Sequence, residues 1–96
     1  MSGASKQKPK KQYNKFGTEA ALLLYNDDVN SFAHVIDCLI QICELAPEEA
    51  VSKTFFVHFN GIGVIKTGDV AIVQAMQKAL NECGLKAEVI DNPMRN

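Results

Sequence analysis

Tryptophan is missing from this sequence of 96 residues, and aromatic side chains make up only 7% of it. A chain so poor in large rings must build its core from aliphatic groups. Its 47% hydrophobic content is enough for a modest one, and the length argues for one domain. Long apolar runs are missing too. None approaches the roughly 18 residues of a membrane span, and no apolar stretch of signal-peptide type follows the start. A soluble cytoplasmic protein is expected. Cysteines are few: Cys38, Cys43 and Cys83 form an odd set without metal-ligand spacing. With Cys38 and Cys83 on apolar helix stripes, buried reduced thiols are expected rather than a disulfide. No metal or other cofactor is called for.

The formal net charge of −1 conceals an asymmetry. Residues 1–15 carry Lys6, Lys8, Lys10, Lys11 and Lys15 and no acid, whereas the remainder is net −6. Residues 1–17 have little to bury and read as a disordered basic extension. Without interleaved Arg or an aromatic platform, they do not argue for a nucleic-acid partner.

Residues 18–92 read as the folded domain. Glu19 to Tyr25 is an apolar strand with both faces covered, broken by Asn26-Asp27-Asp28. Phe32, Val35, Ile36, Leu39, Ile40, Ile42 and Cys43 then recur at helical spacing, with Asn30 placed to cap the helix. Pro47 stops this helix and opens another, helped by Glu48 and Glu49 at its positive end. That second helix should run to about Val57, with Ala50, Val51, Thr54, Phe55 and His58 inward. Asn60-Gly61 ends it. Ile62 to Ile65 is a short strand, and Thr67-Gly68-Asp69 opens a third helix to about Cys83, capped by Gly84. Its stripe is Val70, Val73, Met76, Leu80 and Cys83, and Lys86 to Ile90 alternates as a final strand. The order β-α-α-β-α-β predicts an α+β two-layer sandwich, a small antiparallel three-stranded sheet with its helices on one face.

Few residue sets are left to do chemistry. A thiol hydrolase built on His58 lacks an activated thiolate or an oxyanion hole. Asp27 and Asp28 point apart on an extended chain, which argues against a glycosidase pair. Asp27, Asp28 and His58 lack a recognisable metal-ligand spacing. Gly61-Ile62-Gly63 stands between a helix and a strand, the reverse of a nucleotide fingerprint. A non-enzymatic binding site remains. Asn, Asp and His supply acceptors, which suit an ammonium group. A self-capped turn at Asn26-Asp27-Asp28 and a dipole-favoured His58 explain the same residues without any ligand.

Tyr25-Asn26-Asp27-Asp28 followed by a helix, and Val57-His58 with Gly61 at the end of the second helix, resemble the signature of the ClpS family. Members of that family are adaptors of the Clp protease that recognise N-degrons. The resemblance spans roughly Leu22 to Asp91. It implies that Asn26, Asp27 and His58 bind the α-amino group of a substrate chain. It also implies an adjacent pocket, formed by Asp28, Asn30, Phe32, Val35, Thr54 and Val57, for a bulky apolar first side chain. Delivery to a Clp AAA+ ATPase of the ClpA or ClpC type follows, with Asp69 on the docking surface and a monomer when free. This sequence places Asn30 and Phe32 where the family usually has a Thr cap and a Met gate, and Thr54 at a Met-like wall position. Lys66-Thr67-Gly68 is short for the family, and Gln74 stands where a base is usual. Val70 to Ile90 also looks like the C-terminal domain of bacterial ribosomal protein L7/L12, a protein-interaction domain of the same element order. Its basic helix surfaces are missing here, since Phe32 to Val57 holds only Lys53 against four acids.

Overall fold

The structure is a computed structural model and describes residues 19–91. The expected basic extension, Thr18 and the chain beyond Asp91 lie outside the described residues. The order is β1 (Glu19–Tyr25), α1 (Phe32–Cys43), α2 (Pro47–Asn60), β2 (Ile62–Asp69), α3 (Val70–Glu82) and β3 (Lys86–Asp91). The strands form one antiparallel sheet in the order β2-β1-β3. This is the predicted α+β sandwich.

The apolar run of β1 makes it the central strand. All five residues from Ala20 to Leu24 are buried. Ala20, Leu22 and Leu24 pack with Leu39, Cys43, Ala50, Val57, Val73, Leu80 and Leu85 into one core. Removing a side chain such as Leu22 or Leu39 from water contributes about 1.5–3 kcal/mol, so this layer holds the helices to the sheet.

β2 is twice the expected length, because β1 pairs with it from Tyr25 opposite Ile62 to Glu19 opposite Asp69. The register shifts between Leu22 and Leu23, so that Ile65 is an extra residue on β2. Thr67, Gly68 and Asp69 therefore belong to the strand rather than the helix. Asp69 then caps α3, its carboxylate accepting from the Ala71 N–H at 3.1 Å.

Three further expectations are corrected. Ser31, not Asn30, caps α1: its Oγ accepts from the His34 N–H at 3.1 Å, while the Asn30 side chain is engaged elsewhere. On α2, Ala50 and Thr54 are buried as expected, but the third buried residue is Val57, and Val51, Phe55 and His58 are exposed. Small side chains on that buried face let the helix lie close to β2. A Cβ added at Gly63 would meet Phe56 Cδ2 at 2.9 Å and Val57 Cγ2 at 3.0 Å, so the helix and the strand approach closely there. Finally, Cys38 and Cys43 are buried as expected, but Cys83 is exposed, because α3 ends one residue before it and the chain turns away at Gly84 (φ 92°).

Candidate functional site

The end of β1 and the end of α2 are tied by one backbone bond. The Asn26 N–H donates to the Gly61 carbonyl at 2.9 Å. Gly61 terminates α2 in the left-handed conformation (φ 86°), and its own N–H donates to the Val57 carbonyl at 2.8 Å. Glycine takes that conformation without the Cβ penalty. The cap therefore brings His58, in the last turn of α2, beside the turn that begins at Asn26.

A cavity lies between these two chain ends. Asn26, Asp27 and His58 line it, as do Asn30, Phe32, Val35, Thr54 and Val57. Its free volume is about 20 Å³, room for roughly one water molecule. The Phe32 ring on its wall lies edge-on against His58, centroids 4.9 Å apart, and against Phe55 at 5.0 Å. The Thr54 hydroxyl donates to the Ala50 carbonyl at 2.8 Å. That bond satisfies its polar atom within α2.

Asp27 is held by the turn itself. Its Oδ1 accepts from the N–H groups of Val29 and Asn30, both at 2.8 Å, and its Oδ2 accepts from Asn30 Nδ2 at 3.1 Å. Partial burial pushes the carboxyl pKa upward. The bonds from Asn30 and Val29, with the nearby Lys86 charge, outweigh it, and the net position is below the ordinary aspartate value. Three bonds leave one of roughly four acceptor positions open, on Oδ2. The Asn26 side chain and the His58 ring have no hydrogen bond to any described residue, although His58 makes ring contacts with Phe32 and Phe59.

Asp28, expected in the pocket wall, is exposed and outside the cavity lining. The turn that aims Asp27 inward sends its neighbour out. Three lining residues were not foreseen: Leu24, Tyr25 and Leu85. Pairing of Tyr25 with Lys86 brings Leu85 beside the end of β1, and only the strand order reveals that. Asn30 Nδ2 also donates to the Gly84 carbonyl at 3.0 Å, pinning the turn to the start of β3.

Among the described residues, no three His, Cys, Asp or Glu side chains converge as metal ligands. Burial pushes the Cys38 and Cys43 thiols up to about 11, where little thiolate exists near neutral pH. No described helix is long and apolar enough to cross a membrane.

The family model for ATP-dependent Clp protease adaptor protein ClpS matches residues 17–93. The chain belongs to the ClpS family. A ClpS adapter protein of Clostridium acetobutylicum is 44% identical over 43 residues, which is 45% of this chain and 43% of that protein. The ClpS adapter protein of a Synechocystis strain is 32% identical over 65 residues, 67% of this chain and 66% of that protein. The matched stretches thus span less than two thirds of either relative. In fold, the chain is similar to Agrobacterium tumefaciens ClpS2 bound to L-phenylalaninamide. That likeness has a TM-score of 0.71 at 17% identity, and covers 78% of this chain and 98% of the other. The match favours an adaptor of the Clp protease over the ribosomal reading. The sequence signature of this ClpS protein, Asn26-Asp27 and Val57-His58, frames a cavity that joins apolar walls to acceptors.

Proposed function

We propose that this ClpS protein binds the free α-amino group and the bulky apolar first side chain of N-degron substrates. It then delivers them to a Clp ATPase-protease of the ClpA or ClpC type. The observation that carries this reading is the convergence of three incompletely bonded acceptors on one apolar-walled cavity. Asn26 offers its amide oxygen, Asp27 the open position on Oδ2, and His58 a ring nitrogen, while Val35, Val57, Leu24 and Leu85 form the walls. An ammonium group carries three donors and a charge, and charge-assisted bonds are the stronger kind. Recognition of a chain start by such acceptors is terminal-amine capture. The Agrobacterium relative in its complex holds L-phenylalaninamide, an amine followed by a Phe side chain.

The first side chain would replace Phe32 at the mouth. Rotation of a half-exposed ring is a fast motion, and burial of a Leu or Phe side chain contributes about 1.5–3 kcal/mol, or ten- to a hundred-fold in affinity. Asp69 caps α3 with part of its carboxylate and is exposed, which leaves it available for docking the ATPase.

The test is a titration with peptides starting in Leu or Phe, each with a free or an acetylated amine. Acetylation removes the charge and leaves acceptors unpaired, at about 1–3 kcal/mol per group, so binding should be confined to the free amine. Equal affinity for both forms, or none for either, would overturn the reading. A pull-down of a Clp ATPase by the protein and by Asp69→Ala checks the delivery step.

A further inference from the structure

Two rings on α2 have no place in the amine site, yet adjoin it. Phe55 is 42% exposed and Phe59 is 77% exposed. They stack 6.3 Å apart with their planes 16° from parallel. Phe55 touches Phe32 at 5.0 Å, and Phe59 touches His58 at 5.0 Å. The three Phe rings, with His58 beside them, therefore make one aromatic strip that starts at the cavity and runs outward along α2. Exposed contiguous apolar surface of this kind marks a binding surface more often than chance placement does.

The cavity suggests what covers the strip. On the turn side, the Lys86 charge lies near Asp27, so the apolar way out is over Phe32. An extended chain advances about 3.3 Å per residue and alternates its side chains. If the first side chain enters the cavity, the second points to solvent. The third returns to the surface about 6.6 Å further on. That step is close to the ring-to-ring distances that separate the mouth from Phe55 and Phe59.

We infer that Phe55 and Phe59 form a second subsite, which takes an apolar or aromatic side chain at the third position of a bound peptide. This rests on the proposed amine reading. The subsite would select among substrates that share a first residue.

The experiment uses the full chain and free-amine peptides that begin Leu-Gly, with Trp, Phe, Ser or Glu third. Acetylated partners and a Leu-Trp-Ser peptide complete the set. Trp and Phe at the third position should bind about tenfold more tightly than Ser. The Phe55→Ala, Phe59→Ala double variant should bind the Ser peptide as the parent does and lose the preference. Its fold is checked by circular dichroism. Equal binding of the Trp and Ser peptides, or a preference that survives in the double variant, would overturn the subsite while leaving the amine reading intact. A gain from Trp at the second position instead would overturn the register. Failure to distinguish free from acetylated amines would overturn the amine reading, and the subsite with it. Self-association in sedimentation that the double variant abolishes, without any third-residue preference, would assign the strip to a second copy of the chain.

Discussion

Asn30 holds Asp27 at both carboxylate oxygens: its backbone N–H reaches Oδ1 at 2.8 Å and its side-chain amide reaches Oδ2 at 3.1 Å. The same amide reaches the Gly84 carbonyl at 3.0 Å. One side chain thus fixes the acid relative to both the turn and β3. Asp27 therefore serves the fold as well as the candidate site, and the two roles are separable. Asp27→Ala removes three accepted bonds and should cost on the order of 1 kcal/mol of stability, the size of a lost cap, together with most peptide affinity. Asp27→Asn can keep the two backbone bonds at Oδ1 and should retain more stability, yet bind free-amine peptides at least tenfold more weakly for want of the charge. Urea melts and peptide titrations on both variants check this. Undiminished binding by Asp27→Asn would remove Asp27 from the amine site.

The same bonds set a pH dependence. The Asp27 carboxyl titrates below its ordinary value of 3.8 in the native state. A depressed native pKa contributes stability that is full above the unfolded value and lost as pH falls through the native one. The stability difference between the parent and Asp27→Asn should thus be constant near neutrality and shrink below about pH 4. Denaturant midpoints measured from about pH 7 down to about pH 3 would show it. A difference that grows on acidification contradicts the assignment.

Phe32 lines the cavity with its ring against His58 and Phe55. About 20 Å³ is free there, room for about one water molecule. Phe32→Ala should raise affinity for Trp-first peptides relative to Leu-first ones by about tenfold, because no ring need be displaced. Stability should change by less than about 1.5 kcal/mol, since the ring is 37% exposed. If affinity for every peptide collapses instead, Phe32 is a wall that the ligand packs on and not a cover.

Gly63 is where α2 meets β2. A methyl group there would press on Phe56 and on Val57, at 2.9 and 3.0 Å. Phe56 is half exposed and can turn away, but Val57 is buried and lines the cavity. Gly63→Ala should cost about 1–3 kcal/mol, as overpacking does, and should also weaken peptide binding by shifting the cavity wall. A thermal melt and a titration read the two effects. An unchanged midpoint would mean that α2 lifts from the sheet at no cost.

Much of the fold was legible along the chain because periodicity is a local signal. The run Ala20 to Leu24 announced a strand covered on both faces, the stripe of α1 announced an amphipathic helix, and Pro47 and Gly61 marked the ends of α2. On α2, Ala50 and Thr54 are legible as inward residues, but Val57 is not, because Val51, Phe55 and His58 satisfy helical spacing as well. Hydrophobicity favours the rings, and only the packed structure shows that they are exposed. The cap of α1 was misassigned for a similar reason, since Asn30 and Ser31 are both good caps and only the Asp27 and Gly84 contacts decide between them.

By itself, the sequence determined the element order, the family signature and which residue types could meet an amine, because these depend on neighbours in the chain. The tertiary structure decided that the signature residues line one cavity, that Leu85 and Phe32 share its wall, and that Asp28 lies outside it. Those facts depend on strand order and on the bond from Asn26 to Gly61, which join segments that no local pattern connects.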